Sequence, residues 1–396
     1  MSKTYDLVVV GGGPAGHSAA QAYRAAGGDG DVLLVAGERR APYERPPLSK
    51  ELLRGELEPD ALPIAGDDAS FYDDRGITLR HGTAIALHPD RREVALEGER
   101  DAIAYKRCIL APGARPVRPP IPGADGEGVH LLRTVADALA LRDATPAGTR
   151  VVVLGSGFIG CEAAASLRRR GCVVTLVSQE PAPQRARLGA EVAARLAGWL
   201  EDDGIDARYA TTIDAMAATG DHTMSVRLSD GSTPSADRVL LAAGVAPATD
   251  LARGAGIALN DDALILADAT MRTSAPHVFA CGDCCAAEHA LAGRRLHVEH
   301  WGDALAQGEV AGWTAAGRDA AWETVPGFWS TIGDRTLKHA AWGDGFADVR
   351  VDDHDDGGFT AWYGDVAGTC VGVLAHDRDA DYDAGRRLVA EGAPRP

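Results

Sequence analysis

Lysine is nearly missing from this chain: four occur against 36 arginines in 396 residues. With alanine abundant as well, that bias reads as genome composition, so a lysine kept at a particular place calls for a reason. Positive charge is in deficit overall. The 40 basic and 57 acidic side chains leave −17, which argues against a nucleic-acid or anionic-membrane surface as partner. No run approaches the roughly 18 uninterrupted apolar residues of a membrane span. The opening MSKTYDLVVV passes directly into a strand-like run, without the apolar region and cleavage site of a secretory signal, so the expectation is a cytoplasmic protein. Disulfide spacing is absent too: the seven cysteines are an odd, scattered set that fits reduced thiols. What the chain does have is length and an ordinary apolar content, 45% over 396 residues, enough for two or three domains.

YDLVVVGGGPAGHSAAQAYRAAG reads as a buried strand from Asp6 to Val10, a glycine turn, and a helix whose small residues let it approach the strand closely. DVLLVAGER, from Asp31 to Arg39, follows as a second parallel strand. The same grammar recurs in RVVVLGSGFIGCEAAASLRRRGCVVTLVSQE, from Arg150 to Glu180. Between the two units, CILAPGARPVRPPIPGAD is a strand leading into a proline-rich crossing where few regular hydrogen bonds form. RVLLAAGVAPATD, from Arg238, repeats that pattern at the far end of the second unit, and HVFACGDCC resumes the first. After about Ala320 the texture becomes aromatic and short-stranded. The expected fold class is therefore α/β: two interleaved Rossmann-like dinucleotide-binding domains, 1–110 with 244–320 and an inserted 111–243, plus a C-terminal α+β domain, 321–396.

Gly11, Gly13 and Gly16 form GxGxxG between the strand and helix that the motif requires, and Glu38 lies about twenty residues beyond. Glycines there permit a tight turn and close backbone approach to a pyrophosphate at the helix N-terminus, while the carboxylate accepts from ribose hydroxyls. Gly155, Gly157 and Gly160 repeat the motif, so two nucleotide cofactors are implied. Asp283, just past an apolar strand in TSAPHVFACGD, is placed to bind a cofactor's ribityl chain or phosphate-side ribose.

The leading GGGPAG, the APG and AAG crossings (Ala111 to Gly113, Ala242 to Gly244) and the Gly-Asp turn together resemble the pyridine-nucleotide flavoprotein oxidoreductases over essentially the whole chain. Within them, PYERPPLSKELLRGE (Pro42 to Glu56), HVEHWGDALAQGEVAG and VPGFWS look most like the FAD-dependent, putidaredoxin-reductase-like ferredoxin reductases that serve bacterial oxygenases and monooxygenases. The resemblance implies FAD in the first unit, held by Gly11, Gly13, Pro14, Ala15, Gly16, Glu38, Arg45, Pro46, Ala111, Gly113 and Asp283. It implies NADH or NADPH in the inserted unit, held by Gly155, Gly157, Phe158, Ile159, Gly160, Ser178 and Gly244, and a ferredoxin-type iron–sulfur protein as partner of a monomer or homodimer. It also places Lys50 beside the flavin N5, paired with Glu162. A cation there favours the negatively charged reduced flavin, and a lysine gives a compact point charge where arginine's planar fork is larger. Pro46 and Pro47 stiffen the loop that carries it. Glu299, His300 and Trp301 begin a helix whose positive end faces the flavin, and Trp329 approaches from the third domain. For both tryptophans, core packing is the competing reading.

Some positions depart from the family. Pro112 replaces the usual threonine of the first crossing. At the end of the second strand of the inserted unit, Ser178 stands where an acid is common. Nearby Glu180 argues for NADH, and Arg185 and Arg187 argue for NADPH; NADH is preferred. Thr331 to Gly333 replace the residues that usually follow the FWS triplet, so the acceptor-facing surface differs. Residues 38–50 hold no cysteine, where single-cysteine relatives carry a redox one. Cys281 and Cys284 form CxxC with Cys285 adjacent, but on a turn that FAD binding explains and without a helix N-terminus to stabilise a thiolate. Cys161 and Cys172 read as small buried hydrophobes. The acidic stretch Asp352 to Gly358 lacks the glutamate of a calcium loop and reads as a hairpin turn, and no metal is expected. Arg168 to Arg170 end a helix, where cations complement its dipole. Two other activities stay open: direct reduction of a quinone, disulfide or oxygen, and a nucleotide-switched module.

Overall fold

The computed structural model describes residues 3–64, 70–220 and 223–396. Its first sheet is built on the strand Thr4–Val10, whose Leu7, Val8 and Val9 are fully buried. Apolar residues on both faces suit a strand covered on both sides. It pairs in parallel with Val32–Ala36 and with Ile103–Leu110, and the latter pairs in parallel with Val278–Ala280, which arrives some 170 residues later. A separate parallel sheet lies between them in sequence: Asp206–Arg208, Val173–Val177, Arg150–Leu154, Arg238–Leu241 and Val129–His130, in that order. The chain crosses between the two sheets twice, and the crossings themselves pair, Ala114–Pro116 antiparallel with Val245–Pro247.

The third sheet is antiparallel, ordered Gly327–Ile332, Arg335–Ala341, Cys370–His376, Phe359–Gly364 and Asp348–Asp353, with the helix Asp379–Glu391 packed against it. The acidic stretch after Val351 ends the strand Asp348–Asp353 and turns into its antiparallel neighbour Phe359–Gly364, as expected. Among the described residues, no helix is long and apolar enough to cross a membrane.

Two packing features position the site. The helix Trp301–Ala315 crosses the helix Pro14–Ala25 at very short range. A Cβ at Gly308 would stand 2.2 Å from the Ala15 carbonyl oxygen, and one at Gly312 2.3 Å from that of Ala19. Only glycine allows that approach, and it sets the N-terminus of the later helix near the first glycine turn. Second, one apolar cluster joins three regions: Leu48, Leu52 and Leu53, the inserted unit's Leu167, Leu176 and Leu188, and the third sheet's Ile332, Phe359 and Leu374. The lysine-bearing segment is thereby clamped between the inserted unit and the C-terminal sheet.

Candidate functional site: a cavity shared by two glycine turns

The two turns follow one geometry. Gly11 has φ +127° and Gly155 φ +111°, in the region that side-chain-bearing residues avoid. A Cβ at Gly16 would stand 1.9 Å from the Gly11 carbonyl oxygen, and one at Gly160 2.0 Å from that of Gly155. Gly13 and Gly157 are the N-caps of the following helices, and neither helix start has a side-chain cap. Their first backbone N–H groups are left for an acceptor at the positive end of the helix.

Both turns open on one cavity of about 1450 Å³, larger than the roughly 300–1,000 Å³ typical of a site for one small ligand. Its wall includes Gly11, Gly13, Pro14, Ala15, Glu38, Arg45, Pro46, Lys50, Ala111, Gly113 and Asp283 from the first unit and the crossing after it. Gly157, Phe158, Ile159, Gly160, Glu162 and Gly244 reach it from the second, with Glu299, His300, Trp301 and Trp329. Gly16 and Gly155 stand behind the wall, where their part is the close approach of backbone to backbone. Ser178 is not on the wall either: it is buried, its Oγ 2.6 Å from Ser156 Oγ.

Lys50 sits at the junction of a 3₁₀ turn, Pro46–Ser49, and a short helix, Glu51–Arg54. Its Nζ donates to Glu162 Oε2 at 3.0 Å, with both side chains 7% exposed or less. The Ser49 hydroxyl donates to the same oxygen at 2.5 Å. The Ser330 hydroxyl donates to Glu162 Oε1 at 2.7 Å. A buried charge pair is tolerated best with its remaining valences satisfied, and here the two hydroxyls satisfy those of the carboxylate.

At another part of the wall, Glu38 accepts from Tyr43 at 2.7 Å and pairs with Arg45 at 2.8 Å, both more exposed than the Lys50 pair. Arg45 also donates to the Arg133 carbonyl. Arg133 in turn donates to Asp283 Oδ2 at 2.8 Å. Partial burial holds the Glu299 carboxyl above its usual range, His297 opposing at 3.5 Å.

An aromatic wall belongs to the second unit and the third sheet: Phe158 and Phe328 lie 4.5 Å apart between centroids, with His300 and His339 against Phe328. Burial holds the His339 imidazole down at about 3, so it is neutral at physiological pH. Trp329 is 45% exposed, which rules out core packing for it; Trp301 is half-buried at the start of its helix.

The CxxC thiols are buried. Burial pushes Cys284 up to about 12 and the Cys281 and Cys285 thiols well up, so at neutral pH none is the thiolate that disulfide exchange needs. Cys161 and Cys172 are buried as expected.

Several residues on or behind the wall have no motif to announce them. Arg133 precedes a capping box, Thr134 with Asp137, which marks a helix start but says nothing of the preceding side chain. Gln184 reaches the wall from beyond the second strand of the inserted unit, beside the Arg187 that the sequence had marked, and Gln307 accepts from the Gly282 N–H at 2.8 Å, bracing the Gly-Asp turn. The Ser330 contact joins residues 168 positions apart.

Two nucleotide-type turns on one cavity, with a buried ion pair between them, define a protein that brings two dinucleotides together. The chain belongs to the pyridine nucleotide-disulphide oxidoreductase family, which it matches over residues 5–308. That family works with FAD and a pyridine nucleotide. More particularly, the chain is 35% identical to the ferredoxin–NAD(+) reductase component of the anthranilate 1,2-dioxygenase system of Burkholderia cepacia, over 98% of this chain and 94% of that one. Among solved structures it resembles the ferredoxin reductase for the CYP199A2 system from Rhodopseudomonas palustris, with TM-score 0.92, 31% identity and coverage of 98% and 95%. It also resembles the covalent putidaredoxin reductase–putidaredoxin complex, with TM-score 0.90, 28% identity and coverage of 98% and 94%.

Proposed function

We propose that this protein is an FAD-dependent NAD(P)H:ferredoxin reductase that passes electrons from a nicotinamide cofactor to a small iron–sulfur protein of an oxygenase or monooxygenase system. It acts in the cytoplasm as a monomer or homodimer. The observation that carries the reading is the buried Lys50–Glu162 pair, supplied by different units and set in the cavity that both glycine turns share. FAD, when bound, supplies the conversion between two-electron and one-electron transfer.

The fit of the residues to the two cofactors supports this assignment. Residues 1–110 with 244–320 form the FAD-binding domain, and the helix start after Gly13, an acid beyond the second strand (Glu38) and the acid of the Gly-Asp turn (Asp283) suit its pyrophosphate and hydroxyls. Residues 111–243 form the nicotinamide-nucleotide domain, its pyrophosphate held at the helix start after Gly157. Residues 321–396 carry Phe328 and Trp329 to the cavity. Lys50 holds positive charge against the reacting ring and Glu162 orients it; the N-terminus of the helix begun by Trp301 adds its dipole. NADH is the preferred donor on the strength of an acid, Glu180, beyond the second strand; Arg187 on the cavity wall is the feature that favours NADPH.

Anaerobic titration of the purified flavoprotein with NADH, and in parallel NADPH, tests the reading. Complete bleaching by one equivalent per flavin, more readily with NADH, is expected, with turnover of a one-electron acceptor restored by an added [2Fe–2S] ferredoxin. Consumption of a second equivalent identifies the cysteines as a further redox centre and overturns it.

A further inference from the structure

The division of labour at Glu162 is asymmetric. Its Oε2 receives the Ser49 hydroxyl and the Lys50 ammonium, from adjacent residues of one segment. That segment is braced from the helix carrying Glu162, where Ser166 Oγ donates to the Ser49 carbonyl at 2.7 Å. Among the described hydrogen bonds, Oε1 receives one donor, Ser330, and it comes from the third sheet. Ser330 is fully buried, while its neighbour Trp329 on the same strand is 45% exposed. Strand alternation thus turns one side chain to the ion pair and the next to the open side.

We infer that Ser330 is a positioning residue for flavin reduction: by holding Glu162 Oε1 it fixes the carboxylate plane that aims Lys50. The inference rests on the roles proposed above for Lys50 and Glu162. A buried carboxylate with one oxygen undonated rotates toward its other partners, and that change loosens the ammonium beside the reacting ring. The reducing site is complete only when the third domain is docked.

The test uses a cycle of four flavin-loaded proteins, wild type, Ser330→Ala, Glu162→Gln and the double variant, and a fifth, Ser330→Thr, as the rescue that keeps a hydroxyl. Ser330→Ala is expected to keep its flavin and its nucleotide Kd while anaerobic flavin reduction slows by about tenfold, the factor that one hydrogen bond to a charged group represents. That loss is expected to be recovered in Ser330→Thr. In the Glu162→Gln background the same change is expected to cost less than about twofold, because its route runs through the carboxylate. Reduction as fast as wild type in Ser330→Ala, or an equal loss with and without Glu162, overturns the inference. Thermal unfolding of the same four proteins decides the case if neither nucleotide reduces the wild type. The functional reading then falls by itself, while coupling between the two positions keeps the Ser330 contact and additivity removes it.

Discussion

After the first glycine turn come Pro14 and Ala15, then a helix of small residues lying under the helix Trp301–Ala315. After the second come Phe158 and Ile159, one packed on Phe328 and the other 39% exposed at the cavity. The turns themselves match closely, in backbone angle and in the clash that any Cβ would meet. The residues at the end of each second strand do not match: Glu38 stands on the cavity wall with Tyr43 and Arg45, whereas Ser178 is buried against Ser156. A glycine turn specifies how backbone meets a pyrophosphate; what occupies the rest of the site is decided by the side chains that follow it. In the second unit those side chains leave their own domain. Glu162, on the helix that follows the second glycine turn, completes a charge pair with a lysine of the first unit.

The largest test of this comparison exchanges a glycine in each turn. Gly16→Ala and Gly160→Ala both force a Cβ to about 2 Å from a carbonyl oxygen, so both distort a turn, with different losses expected. Gly16→Ala is expected to yield protein without flavin, read as absorbance per chain. Gly160→Ala is expected to stay yellow and lose reduction by either nucleotide. The same defect in both variants would show that the units do not divide the cofactors.

A smaller effect separates the two acids. Glu162→Ala leaves the Lys50 ammonium buried without its partner and is expected to lower stability by about 3 kcal/mol, the scale of breaking a buried pair. Glu38→Ala removes a half-exposed pair and is expected to cost below about 1 kcal/mol in stability while weakening flavin retention. Denaturant unfolding of the two variants checks the ordering, and an equal loss would contradict the burial argument.

A pH-dependent effect belongs to the aromatic wall on the second unit's side. Between about 3, where burial holds the His339 imidazole, and its ordinary 6.5, the unfolded chain binds a proton that the folded chain refuses. Stability is therefore expected to rise with pH across that window and level off above it. A His339→Phe variant should show a shallower rise in melting temperature from pH 4 to pH 7, and an unchanged slope would remove this role.

Much of the organisation was legible before any coordinates. The two turns, the interleaving and the Gly-Asp turn rest on residues close together or on motifs with a fixed backbone geometry, while the Lys50–Glu162 pair, 112 residues apart, followed from the resemblance to the ferredoxin reductases. Where the reading missed, the reason is distance along the chain. Ser178 looked like a ligand from its place at a strand end, but its hydroxyl is paired with that of Ser156 in the second glycine turn. Arg133 and Ser330 carry no local mark, because an arginine before a helix and a serine in a strand are ordinary in themselves. They matter through Asp283 and Glu162, 150 and 168 residues away.

The sequence by itself determined the backbone of the site, because positive φ and close approach are demands that only glycine meets and that recur at fixed spacing. It determined the parallel strands as well, since residues buried on both faces must be apolar in a run. Tertiary structure alone decided which polar groups share a buried carboxylate. A buried charge takes whatever donors the packing of three regions brings within hydrogen-bond reach, and one apolar cluster, running from Leu48 through Leu167 to Ile332, brings Ser49, Lys50 and Ser330 to Glu162.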